Sequence, residues 1–201
     1  MSRGPGNPRP APGFSTFVRR WASDPLNVGA IAPSGPALAE RMVRTLDLAP
    51  GHVCVELGPG TGAFTGRLLT EAKRHGARVL LLERDPVFVR HLRLLHPEVE
   101  VIEGDAGALP ALLAERGIGH VDRVLSGLPV RSFPEALRTR IGEAIGAALK
   151  PGGLYVQFTY FTAEPLDRPC ARRMHLHGRR TSFVLRNVPP AFVWRYEKGA
   201  G

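Results

Sequence analysis

Apolar positions along the chain fall into two alternating patterns. "VCVEL" (53–57), "RVLLLE" (78–83), "VEVIE" (99–103) and "DRVLSG" (122–127) are short runs of strand length, rich in Val, Leu and Ile. Between them lie stretches with helical spacing: one from about Thr61, one from Pro86, a short one near Leu109, and one from about Pro134 to Leu149 that stops at "KPGG". Such alternation predicts an α/β fold, a parallel sheet with helices on both faces. The pattern then changes to strand "LYVQFTYF", a polar Arg/His-rich loop, and the strands "TSFVLRNV" and "AFVWRYE" around Pro189-Pro190. No helical spacing separates the last two, so they are expected to pair as an antiparallel hairpin.

Ahead of this unit, residues 1–13, "MSRGPGNPRPAPG", are rich in Pro, Gly and Arg and predict a disordered tail. "FSTFVRRW" then sets Phe14, Phe17, Val18 and Trp21 on an arc about 100° wide, with Arg19 and Arg20 on the other side. This short amphipathic helix either lies on a membrane or covers the protein's own sheet. The loop that follows ends in Ser34, placed to cap a helix from about Pro36 to Leu46. The expected organisation is a tail (1–13), an amphipathic helix with a lid loop (14–35) and one α/β domain (36–201).

With 201 residues and 43% hydrophobic content, the chain has enough material for one globular core. No apolar run approaches the ~20 residues that span a bilayer, and no secretory signal precedes them, so a cytoplasmic location is expected. Two cysteines, Cys54 in an apolar strand and Cys170 in a polar stretch, make neither a disulfide framework nor a metal site. The formal charge is +9, and only Lys73, Lys150 and Lys198 are lysines. An excess of arginine points to an anionic partner, nucleic acid or acidic lipid, unless it reflects a genome-wide preference for arginine codons.

Candidate chemistry gathers where the strands end. In "VELGPGTGAF" a strand closes on Glu56, Gly58, Gly60 and Gly62 alternate, and a helix follows, so the backbone can approach a ligand without a Cβ in the way. The glycine spacing differs from the dinucleotide fingerprint. The next strand ends in Glu83, where a carboxylate accepts hydrogens from ribose hydroxyls. A third leads to Asp105, placed to read an adenine amine, and a fourth ends in Ser126-Gly127. Polar groups or glycines thus stand at four successive strand ends, where open α/β sheets bind ligands.

This constellation resembles the class I S-adenosylmethionine-dependent methyltransferases over about Val53 to Tyr196. The resemblance implies a Rossmann-like fold with a seven-stranded, mostly parallel sheet and a final antiparallel hairpin. It carries S-adenosylmethionine contacts onto Glu56, Gly58, Gly60, Gly62, Glu83, Arg84, Asp105, Ala106 and Ser126, with Ile31 and Ser34 from the preceding loop. S-adenosylhomocysteine is then the product.

"NVGAIAPSG", "ELGPGTGAFT", "SGLP", "QFTY" and "NVPPAFVW" together resemble, more narrowly, bacterial phospholipid N-methyltransferases, relatives of the ribosomal RNA adenine dimethylases. That likeness implies stepwise methylation of phosphatidylethanolamine toward phosphatidylcholine by a peripheral enzyme on the inner membrane. The partners it implies are an anionic membrane surface and a phospholipid, not nucleic acid. The sequence departs from the RNA enzymes at their reaction loop, where Ser126 and Val130 replace an Asn and an aromatic. A planar base amine needs a side-chain oxygen to accept its hydrogens and a ring to stack on. An alkyl amine needs chiefly alignment and desolvation. Backbone carbonyls from Ser126 to Leu128 are expected to hold the amine, and Tyr160 either offers a hydroxyl or π face to the growing cation or packs on the hairpin. In "ARRMHLHGRR" (171–180), Arg172, Arg173, Arg179 and Arg180 either capture a lipid phosphate, for which Arg179 and Arg180 are the leading candidates, or form a solvated loop. RNA or a small amine is the alternative acceptor.

Overall fold

The computed structural model describes residues 35–200 apart from 161 and 188. The expected tail, the helix carrying Phe14, Phe17, Val18, Arg19, Arg20 and Trp21, and the loop residues Ile31 and Ser34 lie outside the described residues. In order the elements are α1 (Pro36–Thr45), β1 (Val53–Leu57), α2 (Thr65–His75), β2 (Arg78–Glu83), α3 (Pro86–Leu95), β3 (Glu100–Glu103), a 3-10 turn (Ala106–Ala108), α4 (Leu109–Ala114), β4 (Val121–Ser126), a second 3-10 turn (Val130–Ser132), α5 (Glu135–Ala148), β5 (Leu149–Thr159), α6 (Arg168–Arg173), β6 (Leu176–Val184) and β7 (Ala191–Lys198).

The sheet order is β3-β2-β1-β4-β5-β7-β6. Strands β1 to β5 pair in parallel, and β7 is antiparallel to both β5 and β6. This is the expected Rossmann-like methyltransferase fold. Leu38, Met42 and Val43 of α1 join Val156 and Phe158 of β5 and Val193 of β7 in one buried cluster, so α1 covers one face of the sheet. Strand order reverses between β1 and β4, which opens a crevice at the carboxyl ends of the parallel strands. Because β7 runs the other way, the end of β6 and the start of β7 share that edge.

Three local expectations need correction. Helix α2 starts at Thr65, not Thr61. The glycine turn uses the left-handed region at Gly58, Gly60 and Gly62, with φ +64°, +56° and +87°, and the chain cannot enter a helix until it has left that turn. "KPGG" does not lie between helix and strand but inside β5, as an irregularity opposite Val121 to Arg123. Gly152 takes φ +74° there, and Lys150 pairs with the buried Asp122. The Arg/His-rich stretch is not a loop: it forms α6 and most of β6, while 185–187 turn. From His177 to Thr181 this edge strand is exposed on both faces, so it carries arginine without burying it and lacks the apolar alternation that marks a strand.

Candidate active site

Glu56, at the end of β1, is fully buried, and among the described residues neither of its carboxylate oxygens has a well-formed hydrogen bond. Burial pushes its carboxyl up to about 8; Thr65 offsets part of the rise and the Glu83 carboxylate adds to it. The Thr65 hydroxyl is itself buried beside this carboxyl, and among the described residues it makes no hydrogen bond of good geometry. Two orphaned polar groups beside a glycine turn fit a ligand that brings donors and positive charge.

Gly58 and Gly127 lock the two loops of the site together. The Gly58 amide donates to the Leu82 carbonyl at 2.9 Å and the Gly127 amide to Leu57 at 2.8 Å. A Cβ on Gly58 would strike the Leu128 side chain, and one on Gly127 would sit 2.7 Å from the Gly58 carbonyl oxygen. Glycine is required at both for this contact between cofactor turn and reaction loop.

Glu83 is buried and already receives three backbone amides: Arg84 at 2.7 Å and Asp85 at 2.9 Å on Oε1, and Gly60 at 3.0 Å on Oε2. The carboxylate is thereby aimed across the glycine turn, with acceptor capacity left on Oε2. Asp105 caps the 3-10 turn through the Gly107 amide at 2.7 Å, next to Ala106. Two arginines also hold it: Arg84 at 3.3 Å and Arg140 of α5 at 3.1 Å from both carboxylate oxygens. Arg140 lies so close over Gly107 that a Cβ there would be 2.8 Å from its Nε.

The reaction loop departs from expectation. Ser126 is fully buried, and its hydroxyl accepts the Leu128 amide at 3.2 Å, so it braces the loop's bend. The Leu128 carbonyl receives the Val130 amide at 2.9 Å and Nε2 of Gln157 at 3.0 Å, which uses both lone pairs. Of the carbonyls expected to hold an amine, that of Leu128 is therefore already engaged within the loop. Val130 is 1% exposed, a core residue and not a platform.

Gln157 and Tyr155, which the sequence reading passed over, hold the loop from behind. Burial above all, with Tyr196 alongside, keeps the Tyr155 phenol well above its ordinary pKa, so it stays a donor. It donates to Oε1 of Gln157 at 2.8 Å, which fixes the amide so that Nε2 donates to Leu128 and Phe158 carbonyls. Their signal was a polar residue at alternate positions of an apolar strand, indistinguishable in one sequence from a solvent-facing one.

Tyr160, half-buried at the end of β5, packs edge-on against Phe158 at 5.2 Å, and Phe158 does the same against Phe64 at 5.6 Å. Phe64 is the residue that opens α2, so an aromatic ladder ties β5 to the glycine turn. Arg179 and Arg180 separate: Arg179 is paired in register with Arg195, and Arg180 with Trp194. They project to opposite faces of the hairpin, so a single phosphate is not held by both.

A family profile described as ribosomal RNA adenine dimethylase matches residues 35–109. An ornithine lipid N-methyltransferase of Singulisphaera acidiphila is 36% identical over 181 residues, which cover 89% of this chain and 92% of the relative. The chain belongs to the class I S-adenosylmethionine-dependent methyltransferases. The ribosomal RNA small subunit methyltransferase A of Chlamydia muridarum is 33% identical over 93 residues, 46% of this chain but 31% of that protein. Among solved structures, the fold matches Burkholderia thailandensis 1,6-didemethyltoxoflavin-N1-methyltransferase with a TM-score of 0.64 at 17% identity, covering 92% of this chain and 87% of that one. The methyltransferase thus uses S-adenosylmethionine, and Glu56, the glycine turn, Glu83 and Asp105 are the groups suited to hold it.

Proposed function

We propose that this methyltransferase methylates the amine of a membrane lipid head group. The observation that carries the reading is the reaction loop: a buried serine that braces the loop and a buried valine stand where a base amine would need an accepting side-chain oxygen and a ring to stack on. Support also comes from the relative that aligns over most of both chains, which is named for a lipid amine. The match to the ribosomal RNA adenine dimethylase profile ends at residue 109, before β4 and its loop, so it speaks for the cofactor half.

S-adenosylmethionine, when bound, supplies a methyl carbon on a sulfonium sulfur, which an amine nitrogen displaces in line. The chain's part is alignment and exclusion of water. The Gln157-braced loop and the glycine turn form a rigid pair of walls, and Tyr160 brings an aromatic face suited to a nitrogen that gains positive charge with each methyl. Phosphatidylethanolamine is the acceptor that the five sequence stretches suggest, and ornithine lipid the one that the relative suggests. Both carry a flexible alkyl amine. Activity on either requires contact with a lipid surface, and the reading is of a peripheral enzyme on the inner membrane. No helix among the described residues is long and apolar enough to cross a membrane.

The test is methyl transfer from radiolabelled S-adenosylmethionine into vesicles of phosphatidylethanolamine, of ornithine lipid, and of neither. Label in one of the amino lipids is expected, and the vesicle that takes it names the head group. Label confined to RNA overturns the reading.

A further inference from the structure

We infer that one face of the β6–β7 hairpin is a docking surface for an anionic lipid bilayer. The inference rests on the reading that the acceptor is a lipid. Its first support is position. In register across the sheet, Ser126 of β4 neighbours Gln157 of β5, Gln157 neighbours Trp194 of β7, and Trp194 neighbours Arg180 of β6. Two rows nearer the carboxyl edge, Thr159, Phe192 and Phe183 stand in line. These two rows lead from the reaction loop to the sheet's outermost strand. They also pass from buried to open: Ser126, Gln157 and Trp194 are buried, Arg180 is exposed, and Phe183 is 51% exposed.

The second support is chemistry. Phe183 stacks on Phe192 with ring centroids 4.6 Å apart, and the Arg180 guanidinium lies 4.9 Å above the Phe192 ring. Leu185, just beyond, is 71% exposed, and Arg186 is exposed beside it. Among the described residues neither Arg180 nor Arg186 forms an ion pair. Exposed aromatic and aliphatic groups on an edge strand are a liability in water, and a rim of unpaired arginine complements anionic head groups while the apolar groups enter the acyl boundary.

Rigidity is the third. Asn187 is buried in the hairpin turn, accepts the Gly35 amide at 2.8 Å and donates to the Pro189 carbonyl at 2.8 Å. The tip is therefore held in place, and its exposed side chains are presented by a fixed backbone. The other exposed large apolar residues among those described, Val87, Leu94 and Leu95 on α3, belong to the β2–β3 end of the sheet and serve as an internal control.

The full chain is tested with phosphatidylglycerol and phosphatidylcholine vesicles, without turnover. Cys54 and Cys170 are buried, so Leu185→Cys accepts an environment-sensitive dye selectively. A blue shift of its emission on phosphatidylglycerol vesicles, weaker on phosphatidylcholine, is expected. The pair Phe183→Ser and Leu185→Ser is expected to lower partition into phosphatidylglycerol vesicles about tenfold or more, and Arg180→Gln about fivefold, with cofactor affinity unchanged. Leu94→Ser with Leu95→Ser should leave partition unaltered. A dye that does not respond to vesicles, or a larger loss from the α3 pair than from the hairpin pair, overturns the inference. If vesicles shift the dye and no lipid is methylated, the acceptor reading falls and the docking surface stands; if lipid is methylated and the dye is silent, only the docking surface falls.

Discussion

Gln157 donates to the Leu128 carbonyl at 3.0 Å, and by that bond strand β5 sets the position of the reaction loop at the end of β4. The bond is directional because the Tyr155 phenol holds the other end of the amide. Replacing Gln157 by Leu leaves a buried phenol and the Leu128 and Phe158 carbonyls each short of a partner, a loss of about 1–3 kcal/mol in stability. The loop is then free to shift, so kcat for methyl transfer is expected to fall about tenfold or more, since small misplacements of reacting atoms are costly. Cofactor affinity, which depends on the glycine turn, should change little. Single-turnover rates and calorimetric cofactor titration of Q157L check the split; equal losses in both would show that Gln157 supports the whole crevice and not the loop.

Glu56 predicts a pH dependence. Its carboxyl rises on folding from an ordinary 4.5 to about 8, chiefly through burial. A carboxyl with a raised folded pKa contributes stability that is full below the unfolded value and is lost as pH climbs through the folded one. Wild type should therefore lose stability relative to Glu56→Gln between about pH 4.5 and pH 8, with a slope of at most about 1.4 kcal/mol per pH unit. A positively charged ligand favours the carboxylate, so cofactor binding near neutral pH should release a proton and tighten as pH rises toward 8. Calorimetry in buffers of different ionisation enthalpy measures the proton. Its persistence in Glu56→Gln would assign it to another group.

Gly58 joins backbone conformation to loop packing. At φ +64° an alanine is strained by about 1–2 kcal/mol, and its Cβ also meets the Leu128 side chain. Gly58→Ala is expected to weaken cofactor binding by at least about tenfold. Adding Leu128→Ala removes the collision and not the strain, so the double variant should recover part of the affinity. If it recovers none, the turn's conformation alone accounts for the loss.

The glycine turn, the carboxylates at the ends of β1 and β2 and the strand alternation were legible because each follows from a local rule. A left-handed turn needs glycine, and a buried parallel strand needs an unbroken apolar run. What escaped depends on neighbours distant in sequence. Gln157 reads as an ordinary polar residue until Leu128 and Tyr155 are beside it. "KPGG" reads as a stop until Asp122 draws Lys150 against β4 and the strand absorbs the irregularity. The separation of Arg179 from Arg180 follows from strand alternation, which has no meaning while the segment is taken for a loop.

Arg140 gives the last prediction. Its guanidinium reaches both Asp105 oxygens at 3.1 Å, but the pair is open to solvent, with side-chain exposures of 55% and 29%. Such a pair contributes at most about 1 kcal/mol, so Arg140→Ala should barely move the melting temperature. Its effect on the cofactor is different in kind. An adenine amine read by Asp105 must share lone pairs that Arg140 occupies in the free protein, so removing the arginine frees the acceptor. Arg140→Ala is expected to bind S-adenosylhomocysteine at least as tightly as wild type. Because salt weakens an exposed ion pair, the wild-type protein should close the gap as ionic strength rises. Asp105→Ala, by contrast, should lose about tenfold in affinity at every salt concentration. Titrations of the three proteins across a salt series separate these outcomes. A large loss of affinity in Arg140→Ala would make the arginine a direct holder of the cofactor and not a competitor for the carboxylate that reads it.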